Sequence, residues 1–203
     1  MAVGTAIRRR LFFAIDLDEP SRAAIANLME RLRERLESDS ARRRDPIKWV
    51  ERENLHMTVR FLGATPEARV QELQAALNRP LSSKPFALGF DRVGTFPERG
   101  APRVVWLGAS VGAAEAVHAR DELDERLKAV NVPPEPRPFR PHLTLGRFRE
   151  LARGSDGSAL RGVGVQGFAA VRVDHLTLYE SHLSSRGPRY VPLLSVALGA
   201  DSK

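Results

Sequence analysis

The sequence predicts an α+β fold built mainly from antiparallel sheet. Three observations carry that expectation. Strand-length runs and helical patterns do not alternate as they would in a parallel doubly wound sheet. Several neighbouring strands are joined by short turns rich in Gly and Pro. A hydrophobic share of 42% in 203 residues fits one globular domain with a sizeable core.

Leu11 to Leu17 (LFFAIDL) reads as a buried strand. Glu19-Pro20-Ser21 then opens a helix, in which Ile25, Leu28, Met29, Leu32 and Leu36 recur at three- and four-residue steps. Arg42-Arg43-Arg44-Asp45-Pro46 is a basic loop, read as a solvated turn in preference to an RNA contact. Lys48 to Val50 is a short strand, and Leu55 to Leu62 (LHMTVRFL) is a longer one closed by Gly63. Pro66 to Asn78 is a second helix with Val70, Leu73 and Leu77 inward. Phe86 to Val93 and Arg103 to Leu107 are strands joined by the turn-forming GTFPERGAP. Ala113 to Val130 is a third helix, with Val117, Leu123, Leu127 and Val130 as core positions. The Pro-rich VPPEPRPFRP leads into a strand from His142 to Phe148. Residues 154–164 (GSDGSALRGVG) read as a mobile loop, and Val171 to Tyr179 and Tyr190 to Leu198 as the last strands.

The formal net charge is +7. Only Lys48, Lys84, Lys128 and Lys203 are lysine; the other basic residues are arginine. A guanidinium binds phosphate through a planar fork. Such a surface favours anionic partners, nucleic acid first, whether or not codon bias is the origin of the arginines. The chain has no cysteine, which excludes disulfides, thiol catalysis and cysteine-based zinc sites. No apolar run approaches the roughly 18 residues needed to span a membrane. In the opening IRRRLFFAIDLDEP, Asp16 and Asp18 interrupt the apolar segment before it reaches the about 7–15 residues of a signal-peptide core. A cytoplasmic protein without membrane association is expected, and a monomer.

One widely spaced echo stands out: LHMTVRF at 55–61 and PHLTLGRF at 141–148. Alternate side chains of a strand share a face. His56, Thr58 and Arg60 would then point one way, and Met57, Val59 and Phe61 into the core. The second copy puts His142 and Thr144 on one face and Leu143 and Leu145 on the other. Each copy sets an imidazole about 7 Å along the strand from a hydroxyl. Two imidazoles and two hydroxyls facing one cleft suit phosphodiester hydrolysis without metal. One neutral imidazole takes a proton from water and one imidazolium protonates the departing oxygen, since the free pKa of histidine is about 6.5. Hydroxyls and cations stabilise the charge gathered on phosphate in the transition state. The tripeptides alone leave open that both histidines are ordinary half-buried strand residues.

Six segments in order, RLFFAIDLDEP, KWVERENLHMTVRFLG, RVVWLG, RPFRPHLTLGRF, LTLYES and RYVPL, resemble the RNA 2′,3′-cyclic phosphodiesterase or 2′-5′ RNA ligase family of the two-histidine (2H) phosphoesterase superfamily. The resemblance covers nearly the whole chain. It implies a bilobal, pseudo-symmetric fold, with antiparallel sheets lining a central cleft and helices outside, and residues 1–203 as one domain of two intertwined lobes. It implies RNA with 2′,3′-cyclic phosphate ends as substrate, opened to a 2′-phosphate, with 2′-5′ ligation as the reverse chemistry and no cofactor or metal. His56 with Thr58 and His142 with Thr144 match the signatures. Arg147 matches a basic residue that resembles a phosphate or ribose contact. Simple alternation would put Arg147 opposite His142, so a bulge or strand end near Gly146 is required. Phe13 is a candidate wall or base-stacking residue, with plain core packing as the other reading. His142 is assigned to water and His56 to the leaving 3′ oxygen, although pseudo-symmetry lets the reverse be drawn as easily.

A third copy, Asp174-His175-Leu176-Thr177-Leu178, reads as well on paper as either signature. Spacing cannot choose two out of three. In the family the LTLYES segment resembles a structural strand, which implies that His175 is a partly exposed or hydrogen-bonded strand residue. His118 and His182 are read as surface residues, on a helix and in a loop. The competing functions are a cyclic phosphodiesterase of small nucleotides and a non-catalytic nucleotide- or RNA-binding module on the same fold. No HExxH or GxxxxGK[ST] pattern is present, so nothing points to a metallohydrolase or an ATP-driven ligase.

Overall fold

A computed structural model describes residues 7–38, 47–149, 160, 163, 165, 170–185 and 187–199. In chain order the elements are β1 Arg8–Asp16, α1 Glu19–Ser38, β2 Ile47–Trp49, a 3-10 turn Arg52–Asn54, β3 His56–Pro66, α2 Glu67–Ala76, β4 Phe86–Leu88, β5 Phe90–Phe96, β6 Val104–Ala109, α3 Ala113–Ala129, β7 His142–Phe148, β8 Val171–Val173, β9 His175–Ser184 and β10 Gly187–Ala197. They form two four-stranded sheets, ordered β10-β9-β1-β3 and β2-β7-β6-β5, and a small β4-β8 pair. All of these strand pairs are antiparallel. The sheets exchange strands. β2, from the N-terminal part, joins β7, while β9 and β10, from the C-terminal end, complete the sheet of β1 and β3.

Helix α1 forms where its apolar residues recur. Ile25, Leu28, Met29, Leu32 and Leu36 are all buried, and the Asp18 carboxylate accepts the Ser21 backbone N–H at 2.9 Å, capping its first turn. In α2, Val70 and Leu73 are buried, as is Leu77 just beyond it. The inward face of α3 is rotated from the expected one. Ala116, Ala119, Leu123, Asp124 and Leu127 are buried, whereas Val117 and Val130 are half-buried. Asp124 is held inside because it pairs with Arg60 of β3 at 2.8 Å and with Arg120 at 3.0 Å.

Two expected strands are each two strands. The run Phe86 to Val93 breaks at Gly89, whose N–H donates to Val111 O at 3.0 Å; β4 then pairs with β8 and β5 with β6. The run Val171 to Tyr179 divides at Asp174 for the same reason, a change of partner. β3 does not close at Gly63 but continues to Pro66 along β1. Of residues 154–164, only Leu160 and Val163 lie within the described residues. Leu160 is buried, and Val163 O accepts the Val93 N–H at 3.3 Å, so these two are fastened to the core and to β5. The basic loop 42–46 lies outside the described residues. Among the described residues no helix is long and apolar enough to cross a membrane.

Two bulges decide which side chains reach the cleft. Opposed residues of an antiparallel pair share a face. On β1 and β3 the pairs are Asp16–His56, Ile15–Met57, Ala14–Thr58, Phe13–Arg60 and Phe12–Phe61, with Val59 left over. On β6 and β7 they are Gly108–His142, Leu107–Leu143, Trp106–Thr144, Val105–Gly146 and Val104–Arg147, with Leu145 left over. The extra residue inverts the alternation beyond it. Arg60 therefore turns inward, 5% exposed, and Phe61 turns outward, 56% exposed, reversing what simple alternation gives. By the same device Arg147 comes to the face of His142, as the required bulge near Gly146 anticipated. Gly146 is needed there because a Cβ would come within 2.5 Å of Ile47 and 3.1 Å of the Lys48 carbonyl, so closely does β2 approach.

Candidate active site

The cleft has a volume of about 370 Å³ and is lined from both sheets: Phe12, His56, Thr58, Phe61 and Tyr190 from one, Thr144 and Arg147 from the other. His142 shares the face of Thr144, two residues away. Arg147, on the same strand, lines the cleft together with Tyr190 of the other sheet.

The two imidazoles are held alike. His56 Nδ1 lies 2.7 Å from Asn54 O, and His142 Nδ1 lies 2.6 Å from Arg140 O. In each case the partner is the carbonyl two residues earlier, which can only accept, so Nδ1 carries the proton and donates. That leaves Nε2 as the nitrogen that gains or gives a proton. At His56 this nitrogen lies 3.0 Å from the Thr58 hydroxyl oxygen, accepting from it when the ring is neutral and donating to it when the ring is protonated. Each ring also packs against aromatic neighbours. Phe12 and Tyr190 lie 5.0 and 5.1 Å from His56 between centroids, and Phe96 lies 5.2 Å from His142.

Burial pushes both imidazoles below the ordinary histidine value. Their neighbours then separate them. At His56 the Asn54 carbonyl and the Asp16 carboxylate oppose the fall, with Arg22 acting the other way. At His142 the Arg140 carbonyl opposes it and the Arg147 guanidinium deepens it. Both rings are thus lowered, each has a guanidinium that deepens the fall, and only His56 has a carboxylate that opposes it.

The structure brings His56, Thr58, Thr144 and Arg147 to one cleft. Phe13 is not part of it. It is 0% exposed in the core, and its strand neighbour Phe12 is the ring against His56. The parity of LFFAID carried that signal, since Asp16 must avoid the core and Phe12 shares its face. Asp16, Asn54, Tyr190 and Phe96 were also missed. Only Asn54, two residues before His56, and Asp16, an acid within an apolar strand run, offered any hint.

The third copy behaves as a strand residue. His175 Nδ1 donates to Asp174 Oδ1 at 2.6 Å, and the ring stands 3.6 Å from Asp16. Thr177 and Tyr179 donate to Asp16 at 2.7 and 2.8 Å. In the sheet, β1 lies between β9 and the His56 strand β3. His118 is exposed on α3; His182 is exposed too, but on β9 rather than in a loop. Among the described residues no three histidine or carboxylate side chains are grouped as a metal site.

The family model of the 2′-5′ RNA ligase superfamily matches residues 19–185. An RNA 2′,3′-cyclic phosphodiesterase of Methanocaldococcus jannaschii is 34% identical over 182 residues, 89% of this chain and 96% of that protein. One of Aquifex aeolicus is 35% identical over 156 residues, 75% and 82% of the two chains. A crystal structure from Thermus thermophilus superposes with a TM-score of 0.72 at 28% identity over 95% of this chain and 99% of that one. E. coli LigT complexed with 3′-AMP superposes with a TM-score of 0.69 at 27% identity, over 95% and 99%. With His56 and Thr58 of one signature and Thr144 of the other lining one cleft between antiparallel sheets, the chain belongs to the 2′-5′ RNA ligase superfamily.

Proposed function

We propose that this chain opens 2′,3′-cyclic phosphates at RNA ends to 2′-phosphomonoesters, by acid–base catalysis between His56 and His142 without a metal. The observation that carries it is the matched pair of imidazoles, each with Nδ1 tied to a backbone carbonyl and Nε2 left to work. Relatives named for this activity support the substrate class.

In the reaction, His142 Nε2 takes a proton from water as its oxygen attacks phosphorus. The bond from phosphorus to the 3′ oxygen breaks, and His56 Nε2 gives that oxygen its proton. The products are a 2′-phosphate and a free 3′ hydroxyl; His142 ends with one proton more and His56 with one proton fewer. Thr58 and Thr144 hydroxyls and the Arg147 guanidinium hold the non-bridging oxygens as negative charge gathers there. When a 5′ hydroxyl of a second RNA replaces water, the same steps yield a 2′-5′ linkage. Both histidines come from one chain, which fits a monomer.

The test is an end-group assay on a 2′,3′-cyclic-phosphate oligoribonucleotide in excess EDTA. The expected product carries a 2′-phosphate and a 3′ hydroxyl. Loss of activity on chelation with recovery on adding a divalent ion, or a 3′-phosphate product, contradicts the proposal.

A further inference from the structure

A second cavity of about 270 Å³ adjoins the cleft across the His56 ring, lined by Asp16, Arg22, Glu53, Tyr179, Arg189 and Tyr190. His56, Asn54 and Tyr190 line both spaces. We propose that this cavity receives the nucleotide preceding the cyclic end of an RNA strand, with Arg189 at its lip holding a strand phosphate. The inference rests on the function proposed above and extends it from the reacting phosphate to the length of the substrate.

The charges of the cavity sort its ligand. Both Asp16 oxygens are engaged inside, accepting from Thr177 at 2.7 Å and Tyr179 at 2.8 Å. Glu53 adds a second carboxylate. Two carboxylates repel a phosphate from the interior and suit the hydroxyl and N–H donors of a nucleoside. Arg22 cannot turn outward freely, because its guanidinium donates to Leu17 O at 3.0 Å and Glu53 O at 2.8 Å. Arg189 differs. It stands exposed on β10, and among the described residues its guanidinium has no hydrogen-bond or ion-pair partner. The walls are aromatic. Tyr179 is fixed by its bond to Asp16 and stacks on Phe12 at 5.5 Å, and Tyr190 stands edge-on to His56. Aromatic walls beside a cation are the usual means of holding single-stranded nucleic acid without reading its sequence.

The experiment compares kcat/KM for a cyclic-ended trinucleotide and for the corresponding 2′,3′-cyclic mononucleotide, in wild type, Arg189→Gln and Arg31→Gln. Arg31 is an exposed arginine on α1 and controls for net charge. Wild type is expected to prefer the trinucleotide. Arg189→Gln should lower the trinucleotide value about five- to tenfold, the scale of one charge-assisted bond to an exposed phosphate. It should leave the mononucleotide within twofold, and Arg31→Gln should change neither. Equal wild-type values for the two substrates overturn the proposal, as does a uniform effect of Arg189→Gln or an equal effect of Arg31→Gln. Titration of the protein with a 2′-phosphate-ended trinucleotide and with 2′-AMP reads the same preference as binding, without turnover. An inactive protein that still binds the trinucleotide more tightly through Arg189 would refute the catalytic function and keep the cavity assignment.

Discussion

At the scale of residues, two similar imidazoles differ in their charged neighbours: a carboxylate and a guanidinium at His56, a guanidinium alone at His142. Both are bound through Nδ1 to the carbonyl two residues earlier, so tautomer and ring orientation are common to the pair. Asp16 lies opposite His56 in the sheet and favours its charged form, while Arg147 disfavours the charged form of His142. This is the basis for taking His56 as acid and His142 as base. It also predicts the pH profile. The base must be neutral and the acid protonated, so kcat/KM is bell-shaped and reports the free enzyme. Because burial lowers both imidazoles, the bell should centre below about pH 6.5, the unperturbed histidine value. Removing the Arg147 cation in Arg147→Ala should raise the pKa of His142 and move the acid limb to higher pH. A monotonic profile, a bell centred well above neutrality, or an acid limb that moves downward in Arg147→Ala would contradict these roles.

At the scale of elements, the bulges at Val59 and Leu145 aim the site. The first sends Arg60 inward to Asp124 at 2.8 Å and Glu135 at 3.2 Å, tying β3 to α3 and to the chain beyond it. Arg60→Met would leave the buried Asp124 carboxylate with Arg120 alone. The expected cost is about 3 kcal/mol of stability, as for one partner removed from a buried pair, with kcat/KM within about threefold under folding conditions. Denaturant titration and steady-state kinetics check the two parts. A stable Arg60→Met with activity reduced a hundredfold would return Arg60 to the cleft, where simple alternation places it. Helix periodicity in α1 and α2 was legible because it depends on nearby apolar residues. The bulge in β7 was legible only through Gly146 and the need to aim Arg147. The bulge in β3 was not, because neither Val59 nor Arg60 marks an irregular strand. The strand breaks at Gly89 and Asp174 depend on a change of distant partner, which local pattern does not record.

At the scale of the whole molecule, the two signature strands repeat one plan: histidine, core residue, threonine, bulge. They part where the plan ends, with Phe61 on one side of the cleft and Arg147 on the other. An apolar ring facing a guanidinium suits a nucleotide, which has a flat base and a charged phosphate. The echo between residues 55–61 and 141–148 made this symmetry readable in the sequence. The crossing of β2, β9 and β10 between halves was not, since pairing between segments so far apart leaves no local trace. The aromatic frame of Phe12, Tyr190 and Phe96 around the histidines escaped for the same reason. The central claim is that the symmetry holds one acid and one base. Single-turnover cleavage of a cyclic-ended oligoribonucleotide by wild type, His56→Ala, His142→Ala and His175→Ala tests it most directly. His56→Ala and His142→Ala should each slow the step by about 10²–10⁴-fold, roughly 2.7–5.5 kcal/mol of barrier, while His175→Ala stays within about tenfold of wild type. A near-wild-type rate in either signature mutant, or a thousandfold loss in folded His175→Ala, would contradict the account.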